Sequence, residues 1–467
     1  MINNLPVEIL LDIFDSCLQS IKPHYGQLWW LKVAHVCRRW RAVISASASR
    51  LDIGINVGPK NPDDMETILS GPWPILIDYR CKYEYYTDSS LKRMHSALEH
   101  HDRVRGIYLN GSSWWFDDFF KATSCPFPAL ESLYLRNEND ELEISDTFLG
   151  GPDLSDLRLR SLTLRKVSLT PISGLLSSAT SLTDLVLELY TSFTPSAGMT
   201  LLASLQGMPC LCNLDLEFKP VNSLSRPLIP KDVVPLSKLT KLRYVGGSVF
   251  LYALVAGLSA PSLQKVNIEF RDAVPSPTVH LSRFINEIEE HYHYIHVSIQ
   301  RWSAFNHMLN FSISLHTPEQ DYWEHELGLE SIPDPRLFPE SMLQWSDALS
   351  ARLATVEVLR VTFGDIPTDY VWEDYLPWRR FYRHFSSVKT LRIPHSMARM
   401  LYQYHGEPDD LFVLPALEEI DLSESLTDES ERAALLAAFQ PFVNARQQAG
   451  GRLINVFFLP GRPSCST

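Results

Sequence analysis

From about residue 100 onward the chain repeats one short apolar pattern, Leu-x-x-Leu-x-Leu, with Val or Ile accepted at each place. It appears at Val104-Ile107-Leu109, Leu130-Leu133-Leu135, Leu159-Leu162-Leu164, Leu182-Leu185-Leu187, Leu211-Leu214-Leu216 and, with Tyr third, Leu239-Leu242-Tyr244. It recurs at Leu263-Val266-Ile268, Val356-Leu359-Val361, Val388-Leu391-Ile393, Leu417-Ile420-Leu422 and, weakly, Leu453-Val456-Phe458. Starts at 104, 130, 159, 182, 211, 239 and 263 fall 23 to 29 residues apart, a spacing that marks an array of short structural repeats. The last two apolar places alternate with polar residues, as a half-buried strand requires. Helix-like segments at Leu175–Ala179, Leu201–Leu205 and Leu251–Leu258 lie between strands and suit the covered side of a parallel sheet. Turn chemistry such as Met-Pro-Cys-Leu and Ala-Pro-Ser-Leu precedes several strands. No unit can bury its apolar face alone, so neighbours must stack into a solenoid.

The regularity has two breaks. The Asn or Cys that would form a ladder three places after the last Leu is instead Glu138, Val167, Tyr190, Lys219 and Arg271 in successive units. Residues 270–350 leave the register, with a helix-like Leu281–Tyr292, strand-like Tyr294–Ile299 and Met308–Leu315, and a loop Thr317–Pro339 rich in Pro and acids. This stretch is read as an irregular insertion covering an edge or face of the solenoid. Residues 51–100, with a strand-like Pro74–Tyr79, are read as a linker and N-terminal capping unit.

The first 50 residues carry a different, 3.6-residue period. Ile9, Leu10, Ile13, Phe14, Cys17 and Leu18 share one helical face, begun by Pro6 with Glu8 at the positive end of the dipole. Val33, Val36, Cys37, Trp40, Val43 and Ile44 continue the period in a second block, with Arg38, Arg39 and Arg41 off the stripe. Gln19–Leu28, holding Pro23 and Gly26, reads as the connecting loop. Two helices this apolar cannot bury all their surface against each other, so a partner or the following domain must cover the rest.

Leu5-Pro-Val-Glu-Ile-Leu-Leu-Asp-Ile-Phe14, followed by Val36-Cys-Arg-Arg-Trp-Arg41, resembles the F-box. The likeness covers about the first 50 residues; the longer, polar Gln19–Leu28 connection departs from the family's usual one. The resemblance implies a helical module that docks on a Skp-family adaptor and through it on a cullin–RING ubiquitin ligase. The residues implied to bind the adaptor are Leu5, Pro6, Ile9, Leu10, Ile13, Phe14, Val36, Cys37 and Trp40. The repeats resemble the degenerate leucine-rich repeats that often follow an F-box. The fold reading is therefore α/β: an F-box over 1–50, then an irregular leucine-rich-repeat solenoid over 101–467, its parallel sheet covered by helices on the convex side.

Composition adds exclusions. A chain of 467 residues, 45% hydrophobic and 21% charged, is that of a folded soluble protein. A net charge of −13 without a long Lys/Arg run argues against a nucleic-acid partner. The N-terminus lacks a basic region, and no run of about 18 uncharged apolar residues occurs, so no signal peptide and no membrane span are expected. Cys465 stands third from the end, one place wrong for prenylation. Seven cysteines without framework spacing read as reduced thiols, which points to a cytoplasmic or nuclear location.

Catalytic signatures are absent: no phosphate loop, no His-Glu-x-x-His, no nucleophile elbow. His291, His293 and His296 lack a fourth ligand at standard spacing for zinc. Trp114-Trp115-Phe116 with Phe119-Phe120 reads as helix packing on the sheet ahead of an aromatic docking patch, and Trp29-Trp30 as core or adaptor-facing surface. Cys37 lies on the apolar stripe, which favours an inert thiol over a ubiquitin-carrying one. The function read here is a non-catalytic substrate receptor of a Skp–cullin–F-box-type ligase, without cofactor or metal. The alternative is an interaction scaffold using the same modules without ubiquitin transfer. Residues flanking the second and third apolar places face the open side of the sheet. On that reading Asp184, Glu188, Asp215 and Glu217 form an acidic patch bordered by Lys241, Arg243 and Lys265 as the substrate surface, with the 317–339 loop as the next choice.

Overall fold

The computed structural model describes residues 5–20, 33–47, 54–59, 69–71, 73–80, 87–138, 142–144, 148–150, 157–189, 195–218, 232–270, 279–287, 294–301, 309–316, 327–331, 338–363, 376–393, 413–422, 429–448 and 450–457, and every structural statement here concerns these. The chain divides into two compact units: Met1–Phe193 with Thr200–Leu214, and Thr194–Met199 with Asp215–Thr467.

The first unit opens with helices α1 (Val7–Ser20) and α2 (Arg38–Ala46), packed on each other. Strands β1 (Ile55–Val57), β2 (Ile75–Tyr79), β3 (Val104–Gly111), β4 (Ser132–Asn137), β5 (Ser161–Arg165) and β6 (Asp184–Leu189) follow, paired in that order and all parallel. The span read as a capping unit thus contributes β1 and β2 to the same sheet. Parallel neighbours need crossovers. These carry α3 (Asp88–Leu98), α4 (Ser113–Ala122) and α5 (Leu169–Ser178), and α6 (Pro195–Gln206), which belongs to this unit from Thr200 on, follows β6 in sequence.

The repeat pattern maps onto the core residue by residue. Ile107, Leu109, Leu133, Leu135, Leu162, Leu164, Leu185 and Leu187 are all buried, while the alternate positions Tyr108, Tyr134, Thr163 and Val186 keep partial exposure. Each strand therefore has one covered and one open face. Trp115, Phe116, Phe119 and Phe120 on α4 are buried and stack with Phe148 and, through Trp115, with Tyr79. Gly111 permits this approach, since a Cβ there would stand 3.0 Å from the Trp115 ring. That aromatic run is helix packing.

In the second unit β7 (Asn213–Phe218), from Asp215 on, is followed by β8 (Val234–Pro235), β9 (Lys241–Gly246), α7 (Ser248–Gly257), β10 (Leu258–Ser259), β11 (Lys265–Phe270) and α8 (Val279–Asn286). Next come β12 (Tyr294–Arg301), β13 (Leu309–His316), β14 (Leu327–Ser331), α9 (Phe338–Leu353), β15 (Val358–Phe363), α10 (Leu376–Tyr382), β16 (Thr390–Arg392), β17 (Glu419–Asp421), α11 (Glu429–Gln448) and β18 (Asn455–Phe457). The strand order is β9-β11-β14-β13-β12-β15-β16-β17-β18, and β8 and β10 form a separate short pair.

The irregular stretch differs from the sequence reading in a defined way. Its strands enter the sheet instead of covering an edge: β12 runs parallel to β15, β14 parallel to β11, and β13 lies antiparallel between them. The segment read as a Pro-rich loop contains β14, because Leu327-Gly-Leu-Glu-Ser alternates over only a few residues between prolines and acids. Covering helices α8, α9 and α10 pack in sequence, with Trp345 on α9 set 5.1 Å from Phe270. The final repeat is frayed, with Leu453 59% exposed.

Candidate functional site

Helix α1 starts at the proline: Leu10 N–H donates to the Pro6 carbonyl at 3.1 Å, and Leu5 and Pro6 lead in. Helix α2 starts one turn later than the sequence period implied. Cys37 is extended (φ −158°, ψ 169°), and its Sγ accepts the Trp40 N–H at 3.4 Å as an N-cap. The stripe through Val33 and Val36 is therefore interrupted at Cys37, where a side-chain acceptor for an orphan helix N–H outweighs continued helix. Arg39 on α2 donates to the Leu5 carbonyl and Arg41 to the Ala34 carbonyl at 3.3 Å, tying the chain's lead-in and the turn to α2.

Leu10, Leu11 and Phe14 of α1 meet Ala34, Val43 and Ile44 in a small core, with Leu5, Ile13, Val33, Trp40 and Trp73 packed around it. The Trp73 contact ties this module to the first strands of its own unit. The nine adaptor-side residues named from sequence thus separate into three groups. Leu10 and Phe14 lie inside the module. Leu5, Ile13, Cys37 and Trp40 are half-buried at its rim. Pro6, Ile9 and Val36 are exposed, Ile9 at 46% and Val36 at 59%. Val7, 43% exposed, belongs with them and was missed because it falls off the α1 stripe. The indole Nε1 of Trp40 is shielded from solvent and has no acceptor among the described residues. The module thus leaves apolar side chains exposed after its own core is filled.

The substrate-side residues named from sequence are held by ion pairs and hydrogen bonds inside each unit. In the first, Asp184 accepts from Thr183 Oγ1 at 2.6 Å and from Asn213 Nδ2, and Glu188 pairs with Arg165 at 3.3 Å. In the second, Arg243 sits 2.9 Å from Asp215 and 3.6 Å from Glu217. Burial pulls the Arg243 guanidinium down, but Asp215, Glu217 and Glu269 together raise it above its ordinary value. Lys241 and Lys265 stand directly opposite each other in register. Four acids awaiting a ligand are therefore acids with cationic or amide partners from neighbouring strands. In place of an asparagine ladder, Glu138 accepts from Asn110 at 2.8 Å and Val167 is buried.

The remaining candidates resolve as follows. Trp29, Trp30, His291 and His293 lie outside the described residues, as does the side chain of His296. Among the described residues no group of His, Cys, Asp and Glu is placed to hold a metal ion, and no helix is long and apolar enough to cross a membrane.

The F-box-like family model matches residues 2–49, the span of α1, α2 and their connection. The N-terminal module is thus F-box-like, and it is joined to stacked β–α units of the leucine-rich-repeat kind. No curated protein matches the chain. Among solved structures, "Crystal structure of TLR13-ssRNA13 complex" aligns at 13% identity with a TM-score of 0.27, over 68% of this chain and 42% of that one, so the chain spans less than half of that neighbour's length. An F-box-like module points to work as a ubiquitin-ligase adaptor or in protein interaction.

Proposed function

We propose that the chain is the substrate receptor of a Skp–cullin–F-box-type ubiquitin ligase. The F-box-like module binds a Skp-family adaptor and the repeat units bind the protein to be modified. The observation that carries this reading is the exposure of Val7, Ile9 and Val36, apolar side chains left outside a core that Leu10, Phe14 and Ile44 already fill. Exposed apolar surface of this kind on a small helical module is what a partner covers. No step of bond making falls to this chain. Its work is effective concentration, holding a substrate lysine near ubiquitin activated elsewhere in the assembly. The open sheet faces, with Lys241 and Lys265 in the second unit and Asp184 and Glu188 in the first, are the surfaces assigned to the substrate. The assembly belongs in the cytoplasm or nucleus, where the cysteines stay reduced.

Co-expression with a Skp-family adaptor and cullin tests the reading. The full chain co-purifies with both, and deletion of residues 1–50 abolishes capture and lengthens the half-life of a bound substrate. Capture of the adaptor without cullin, with substrate turnover unchanged by the deletion, favours a scaffold that uses the same modules without ubiquitin transfer.

A further inference from the structure

On the open face of the first unit, strand register sets side chains in rows. Asp78, Tyr108, Tyr134 and Thr163 stand opposite one another across β2 to β5. Tyr108 and Tyr134 are half-buried neighbours, and the Arg80 guanidinium lies 4.6 Å from the first ring centroid and 6.0 Å from the second. Asp78 holds Arg80 there through Nε at 3.1 Å and a terminal nitrogen at 2.7 Å. The next row runs Asn110, Arg136, Arg165. Asn110 is engaged by Glu138 at 2.8 Å and Arg165 by Glu188 at 3.3 Å.

Arg136 is different. It is exposed, and among the described residues it has no carboxylate or carbonyl partner. Among the described residues the hydroxyls of Tyr108 and Tyr134 likewise have no hydrogen-bond partner. A guanidinium fork and phenol donors on one rigid sheet face are built for carboxylate oxygens, which accept from both. The cation–aromatic stack beside them offers flat apolar area to the aliphatic part of the same ligand. Asp78 and Glu188 neutralise Arg80 and Arg165, so the free positive charge on this face is confined to one spot, which suits a spaced carboxylate and not a continuous polyphosphate.

We propose that the open face of β2 to β5 docks an extended, Asp/Glu-rich segment of the bound protein, with Arg136 and the Tyr108–Tyr134 pair as its anchors. The proposal rests on the receptor reading above and adds the chemistry of the segment recognised. Local charge decides such a contact, so an acidic chain can still hold a carboxylate at an uncompensated guanidinium.

The test uses the full chain co-expressed with a Skp-family adaptor, and a fluorescein-labelled peptide of alternating glutamate and leucine read by anisotropy. The glutamate peptide binds, and its affinity falls with added salt. Arg136→Glu weakens it by about tenfold or more, and Tyr134→Phe weakens it several-fold, both with unchanged melting temperature. Lys121→Ala, on the covering helix α4, leaves it unchanged. Equal binding of a glutamine–leucine peptide, tighter binding of a phosphoserine–leucine peptide or a single-stranded RNA, or an Arg136→Glu variant with undiminished affinity overturns the proposal. Adaptor capture is scored on the same preparations. Its loss in the parent chain defeats the receptor reading, whereas intact capture without glutamate-peptide binding defeats this inference alone.

Discussion

The rings of Phe14 and Trp40 meet edge to face, centroids 5.0 Å apart at 69°, and so join α1 to α2. Phe14 is almost wholly buried, and removing it leaves a cavity in a core of only a few side chains. Phe14→Ala is therefore expected to cost about 3–5 kcal/mol, enough to melt the module while the repeat units stay folded. Limited proteolysis reads this directly, with cleavage appearing inside residues 5–47 and the remainder protected. Uniform loss of protection along the chain contradicts the separation.

Arg446 on α11 is fully buried and donates to the carbonyls of Val413 at 3.2 Å and Leu414 at 2.5 Å. Burial lowers its pKa. Arg446→Met keeps the volume but orphans both carbonyls, each buried acceptor left unmade costing about 1–3 kcal/mol. A lowered denaturation midpoint with unchanged slope is the expected readout, and an unchanged midpoint contradicts the clamp.

His384 lies 3.2 Å from Asp347, yet its pKa is held below the ordinary 6.5. Burial is the main cause; Arg380 acts in the same direction and Asp347 opposes both. A folded value below the unfolded one means the unfolded chain takes up the proton first. This contribution is complete above pH 6.5 and is lost as pH falls from there through the folded value. Melting temperature followed from neutral to mildly acidic pH should fall less steeply in His384→Gln than in the parent. Parallel curves contradict the assignment.

Arg243 stands between Asp215 and Glu217 and is partly solvent-exposed. Arg243→Ala leaves two carboxylates on one strand unneutralised. A loss of up to about 1 kcal/mol is expected at low salt, shrinking as salt screens the repulsion. Urea melts at two salt concentrations check both the sign and the screening.

How much of this was legible follows from what each residue depends on. Leu133, Leu135, Leu162 and Leu164 were readable as strand residues because their burial is set by a local alternation that every unit repeats. The lie of α4 on the sheet was readable for the same reason, from Trp115 and Phe119 one turn apart. Strand β14 was missed since its five residues give too short an alternation, and its place is decided by β11 and β13. The start of α2 was missed because Cys37 could continue the apolar period or cap, and only the backbone distinguishes them. The charge pattern was misjudged through its partners. Glu188 and Arg165, or Asp215 and Arg243, are separated by 23 and 28 residues and meet only once strand register is set. The cation–aromatic group of Arg80, Tyr108 and Tyr134 was hidden by the same dependence.

The central claim is that the outer apolar surface of the α1–α2 module docks a Skp-family adaptor. The direct measurement is adaptor capture by the purified full chain, quantified by titration, for the parent and for the double variant Ile9→Asp/Val36→Asp. Both residues are exposed, so the module's core is untouched and its protection from protease serves as the folding control. Anchors of this kind are worth about 1–2 kcal/mol each, so the variant should lose capture by more than tenfold while the repeat units remain folded. Equal capture by parent and double variant, or no capture by either, contradicts the account.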